Sequence, residues 1–306
     1  MKINLYFTIM DRYYNKYLIY KTKYLNLKNK INVNQNGGTI TTIETTETDI
    51  KEYFESLQIL NKTLKTFIVD SYKLHLIKVK LNDDDMKPVL FVIPGMSHKS
   101  FRGTVNVVLS KLDELSTKFK TIYCLEYDSF KSDQNLACSK RDNIVKNEKD
   151  KDPYKPELLM NSNIALQIHE IIKSLDLDNV HLLGKCNGGW VASLLLSQSN
   201  IYKGLYLAVP GIPYSVKNLN DIDRKRLNEI NFVFGWTKQD ELKFHWEKFS
   251  FEEKERYDFI MKGINPAKYI SYMFVNIDAN GSESKADSKI YHELFPDMIT
   301  KIIQTL

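Results

Sequence analysis

Val180-His181-Leu182-Leu183-Gly184-Lys185-Cys186-Asn187-Gly188-Gly189-Trp190 is the stretch on which the reading of this chain turns. A short apolar run, Val180–Leu183, enters a glycine-rich turn, and the run Trp190–Leu196 that leaves it has helical character. The order is strand, tight turn, helix. Such a turn holds its middle residue in strained backbone geometry, so only very small residues fit two positions away on either side. Gly184 and Gly188 supply them, and Gly189 adds a third small residue where the helix begins. The pattern is G-x-S-x-G with Cys186 in place of serine, and a helix N-terminus beneath a sulfur favours thiolate over thiol. The plainer alternative is a strand-to-helix turn carrying an inert, buried Cys186. A phosphate loop does not fit, because neither G-x-G-x-x-G nor G-x-x-x-x-G-K-[ST] can be written here.

A nucleophilic thiolate needs a base, and the base needs an orienting acid. After a turn of this kind both lie downstream, on loops that follow later strands. Phe232-Val233-Phe234-Gly235 reads as such a strand and places Asp240 on the loop beyond it. Asp240 could instead cap the helix that begins near Glu241, and Asp278 is its rival as the acid. His292 precedes a terminal amphipathic helix built on Leu294, Ile299, Ile302 and Ile303, where a base is wanted; a surface cap is its plainer role. His75, His169 and His181 fall inside a strand or helix and read as structural, while His245 follows Asp240 too closely to pair with it. His98 ends Pro94-Gly95-Met96-Ser97-His98, the loop after the apolar run Val89–Ile93. That loop is where an oxyanion-hole amide is expected, so the backbone N–H groups of Met96 and Asn187 are the two candidate donors.

Working outward, the run Val89–Ile93 has the continuous apolar character of a strand buried on both faces, and similar runs follow at Lys120–Tyr127, Val180–Gly184, Gly204–Val209, Asn231–Gly235 and Ile270–Asn276. Helical stretches lie between them at about 103–118, 157–176, 188–199, 240–263 and 293–305. The alternation predicts an α/β fold, a mainly parallel sheet with helices on both faces. Upstream, Thr66–Asp70 and Lys73–Leu81 read as an antiparallel hairpin, and residues 128–156 read as a long polar loop. Residues 10–31 carry a heptad seam of Met10, Tyr13, Tyr17, Tyr20, Tyr24, Leu27 and Ile31, which predicts a basic, amphipathic N-terminal helix. The expected organisation is a Tyr/Lys-rich helical leader at 1–38, a linker with a short helix at 39–60 and one catalytic-type domain at 61–306.

Composition narrows the class. The chain has 306 residues, 43% of them apolar, with only 12 glycines and 8 prolines, which suits a globular protein and excludes collagen-like and low-complexity chains. Three cysteines with no C-x-x-C pair indicate neither a disulfide scaffold nor a thiolate metal site, and fit a reducing, intracellular setting. No stretch is long enough for a membrane span, and the start lacks the shape of a signal peptide. The formal charge of +5 is unevenly placed: residues 1–38 hold seven basic residues against one acid, so the other 268 carry 36 basic and 37 acidic groups. Specific nucleic-acid recognition by the body is therefore not expected, and any anionic surface would be met by the leader.

The residues from about Lys87 to Leu306 resemble the α/β-hydrolase family. The resemblance rests on the Pro94-Gly95 turn, on Leu182 to Gly189, on Phe234-Gly235 with Asp240, and on His292 near the end. The spacing from Gly235 to Asp240 is longer than the family's usual one, and cysteine in the turn is similar to the dienelactone-hydrolase branch. The resemblance implies hydrolysis of an ester, thioester or lactone in a small acyl substrate by a Cys186-His292-Asp240 triad, with no metal or organic cofactor. Separately, the Tyr13–Lys28 stretch with Gly37-Gly38 resembles a leader found on proteins of mimivirus-like giant DNA viruses, which implies residence in a virion or viral factory and contact with virion components. A structural or interaction protein of such a particle, keeping the fold without the chemistry, is the alternative from another class.

Overall fold

The computed structural model describes residues 40–46, 48–69, 72–95, 98–127, 155–196, 198–208, 229–237, 269–274, 296–304 and 306. Among these, nine strands form one sheet in the order β1-β2-β3-β5-β4-β6-β7-β8-β9. β1 is Thr41–Ile43, β2 Lys62–Val69 and β3 Tyr72–Lys80, and these three pair antiparallel, β3 leaning in turn on β5 (Thr121–Glu126). β4 (Val89–Ile93), β5, β6 (Val180–Lys185), β7 (Tyr202–Ala208), β8 (Asn231–Thr237) and β9 (Tyr269–Phe274) run parallel to one another, and β3 meets β5 antiparallel. An antiparallel hairpin leading into a parallel sheet with helices on both faces is the α/β-hydrolase fold.

Alternation along the buried strands divides the core in two. Val89, Phe91 and Ile93 of β4, with Leu182 of β6, meet Ile164, Ala165, Ile168, Ile171 and Ile172 of α4 (Lys155–Ser174) and Val191, Ala192, Leu195 and Leu196 of α5 (Asn187–Leu196). The opposite face, with Leu90, Val92 and Leu183, meets α1 (Thr48–Ser56), α2 (His98–Leu109), α3 (Leu112–Ser116) and α6 (Pro296–Gln304). Every residue of β4, β5 and β6 is buried, which is why β4 is wholly apolar and why β5 and β6, though they take in Thr121, Glu126, His181 and Lys185, read as largely apolar rather than alternating. α5 is apolar nearly all round because it lies between the sheet and α4, whereas α6 buries one stripe of Met298, Ile299 and Ile302.

Two expectations need correction. The short helix expected within 39–60 is α1, but residues 40–46 are more than a linker, since β1 pairs with β2 through Thr41↔Ile68 to Ile43↔Thr66, and α1 sets Ile50, fully buried, and Tyr53 into the core. Thr45 adds a 2.7 Å hydroxyl contact to Thr66, and the compact unit runs from Ile40 to Leu306. A three-residue strand is too short to show a period of two. The helix expected over 103–118 begins earlier, at His98, and is broken at Ser110-Lys111 into α2 and α3 without glycine or proline to mark the break. The leader and the polar loop expected at 128–156 lie outside the described residues, apart from the first residues of α4.

Candidate active site

β6 ends at Lys185 and α5 begins at Asn187, leaving Cys186 alone between them with φ 54°. That is left-handed backbone, uncommon for any residue but glycine and costly enough to persist only where the surroundings hold it. They do so on both sides. The Cys186 N–H donates to the Ala208 carbonyl at 3.1 Å, continuing the β6–β7 ladder one residue past the strand, and the Gly189 N–H returns to the Cys186 carbonyl at 2.9 Å. A Cβ on Gly184 would lie 2.6 Å from the Gly189 Cα and nearer still to the Gly188 carbonyl oxygen. One on Gly188 would lie 2.7 Å from the Ile93 carbonyl carbon and would collide with the carbonyl oxygens of Ile93 and Pro94. Both glycines are thus required by close backbone approach, and the second brings the Pro94-Gly95 turn against the start of α5.

Cys186 is a half-buried thiol, while Cys124 is wholly buried on β5. Burial pushes the Cys124 thiol up to about 12, which leaves Cys186 as the accessible thiol of the described pair. Asn187, the first residue of α5, presents its backbone N–H at the helix N-terminus, where the first turn of amides has no partner inside the helix. Its side chain turns into the protein. The Asn187 and Asn161 amides bond reciprocally, each Nδ2 donating to the other's Oδ1 at 3.0 Å, and Asn187 Nδ2 also reaches the Tyr127 hydroxyl at 3.3 Å. Tyr127 in turn donates to the Pro94 carbonyl at 2.9 Å. Asn161 and Tyr127 were not singled out by the sequence. The available signal was Asn161's place three residues before Ile164 and seven before Ile168, on the face of α4 that the apolar pattern marks as buried.

Of the sequence-predicted site, the structure therefore places Cys186, Asn187 and the three turn glycines together, beside Pro94 and Gly95. Asp240, Asp278, His245, His292 and Met96 lie outside the described residues. The flanking elements are described: β8 ends at Thr237, three positions before Asp240, and α6 starts at Pro296, four after His292. β8 is parallel to β7, and β7 to β6, so its C-terminal end lies on the same side of the sheet as Cys186. Three histidines away from the turn are tied to hydroxyls: His75 to Thr66 at 2.8 Å, His169 to Tyr202 at 2.7 Å and His181 to Tyr206 at 2.6 Å. Burial depresses the buried ring of His181 to about 4, and it lowers the half-buried His169 as well.

No family model matches the chain. No curated protein matches it either. Solved structures similar to it include a CIB-like hydrolase from Thermoplasma acidophilum, at 12% identity and a TM-score of 0.47, covering 79% of this chain and 96% of that one. Acetyl xylan esterase 1 from Thermoanaerobacterium is similar at 11% identity and a TM-score of 0.41, covering 88% of each chain. Naproxen esterase from Bacillus subtilis is similar at 13% identity and a TM-score of 0.39, covering 76% of this chain and 92% of that one.

Proposed function

We propose that the protein is an acyl hydrolase acting on an ester, thioester or lactone, with Cys186 as nucleophile, His292 as general base and acid, and Asp240 orienting His292. The observation that carries this reading is the positive φ of Cys186 between two glycines that cannot bear a Cβ. Strain of this size is kept where a side chain must be exposed at a fixed point, and an inert core thiol has no need of it. In the proposed cycle the Cys186 thiolate bonds to the acyl carbon and the carbonyl pair moves onto oxygen. The N–H groups of Asn187 and Met96 hold that oxyanion, and the leaving oxygen or sulfur takes the proton from His292. Water, deprotonated by His292, then attacks the thioester and regenerates the thiolate.

The test is hydrolysis of p-nitrophenyl acetate and an acyl thioester by the full chain, compared with variants. Cys186→Ala is expected to abolish turnover, His292→Ala and Asp240→Asn to lower kcat at least about a hundredfold, with melting temperatures nearly unchanged. Damage from Asp278→Asn together with a harmless Asp240→Asn would move the acid to Asp278. Undiminished turnover by Cys186→Ala would end the reading.

A further inference from the structure

Four elements meet in one largely buried polar chain: Tyr127 just past β5, Asn161 on α4, Asn187 at the start of α5 and Pro94 just past β4. Its hydrogens can be distributed in one way. Tyr127 has a single hydroxyl proton and gives it to the Pro94 carbonyl, so toward Asn187 it can only accept. Asn187 therefore uses one amide hydrogen on Tyr127 and the other on Asn161 Oδ1, while its own oxygen accepts from Asn161 Nδ2. Asn161 is wholly buried, where an amide that loses its partners is left without water to replace them. The Asn187 side chain is thus held from two sides, and the buried Asn161 would lose both of its bonds to Asn187 if that side chain moved.

We propose that Tyr127 and Asn161 are positioning residues for the oxyanion hole. They fix Asn187 at the N-terminus of α5 and, through the Pro94 carbonyl, tie it to the Pro94-Gly95 turn, so that the Asn187 backbone donor keeps one position and one aim. This rests on the hydrolase reading. It makes a distinction between two reactions of one sulfur. Acylation by an ester forms the S–C bond while the carbonyl pair moves onto oxygen, and that oxyanion needs the donors until the pair returns and the leaving phenolate departs. Alkylation by iodoacetamide forms the S–C bond as iodide leaves a tetrahedral carbon, and no oxyanion develops.

Tyr127→Phe deletes one hydroxyl and keeps the ring. In the full chain, acetylation of Cys186 by p-nitrophenyl acetate and its alkylation by iodoacetamide are each followed by release of the leaving group and by peptide mapping. Acetylation and kcat are expected to fall roughly tenfold to a hundredfold, less than removal of a donor outright, with alkylation and KM within about twofold of wild type. Asn161→Ser, which leaves Asn187 with one anchor, is expected to show the same split and serves if Tyr127→Phe does not fold. Unchanged acetylation in a folded variant, or acetylation and alkylation falling by one common factor, would overturn the inference. A wild-type chain alkylated at Cys186 but never acetylated would defeat the hydrolase reading, and this inference with it. Active wild type with equally active variants would defeat the positioning alone.

Discussion

At Cys186 and its neighbours the sequence is informative because the constraint is local. A turn with φ 54° at its middle residue and backbone packed against Gly184 and Gly188 leaves a signature within five residues. Asn161 and Tyr127 leave none of that kind, since their partners are 26 and 60 positions away from them in the chain and only the fold brings them together. Gly188→Ala is expected to destabilise the protein by about 3 kcal/mol or more, because the new Cβ meets carbonyl oxygens of β4 and its turn rather than a side chain that can rotate. Urea unfolding measures it, and a loss below about 1 kcal/mol would mean that the approach of α5 to β4 is looser than described. Cys186 should also be alkylated by iodoacetamide well before Cys124, whose buried thiol at about 12 is ionised to roughly one part in ten thousand at pH 8. Equal labelling of the two in the folded chain would contradict this.

Elements were legible in proportion to their burial and length. β4 is apolar throughout and β5 and β6 carry apolar centres, because both faces are covered, and they are the strands that fix the parallel sheet. β1 has three residues and no pattern, and the break between α2 and α3 at Ser110-Lys111 carries no breaker residue, so neither could be read from sequence. On α6, Ile299 is wholly buried against the face that also holds α2 and α3, and Ile299→Ala is expected to cost about 2–5 kcal/mol of stability in a denaturant titration. β6 carries a pH-sensitive group. His181 is buried beside Tyr206 and burial depresses it to about 4, below its usual value near 6.5, so between these limits the unfolded chain binds more protons than the folded one. Stability from this group is complete above about pH 6.5 and falls as pH drops toward about 4, by about 2 kcal/mol at pH 5. Replacing it by Gln should flatten the difference between stabilities measured at pH 7.5 and pH 5 by about that amount; an equal slope in wild type and variant would show that the ring titrates as it does in the unfolded chain.

For the whole molecule, the boundary of the folded body moves. Ile40–Leu306 forms a compact unit to which β1 and α1 belong, so removal of residues 1–39 is expected to leave a cooperatively folding domain. Removal of 1–48 should be damaging, since it takes away β1 and the contact of Thr45 with Thr66 and uncovers the edge of β2. Thermal melts of the two truncations decide this, and a 49–306 chain as stable as 40–306 would show that β1 adds nothing to the folded body. The same 40–306 chain has 36 basic and 37 acidic residues and is expected to lose any salt-sensitive binding to anionic vesicles that the full chain shows. Among the described residues no helix is long and apolar enough to cross a membrane. What joins these scales is one sulfur at the C-terminal edge of a parallel sheet. The direct measurement is to mix the intact chain with p-nitrophenyl acetate, quench in acid within one turnover, and map the acetyl group by peptide mass spectrometry. An acetyl thioester on Cys186, absent after prior unfolding, is the predicted result; an unmodified Cys186, or label spread over surface lysines alone, would contradict the account.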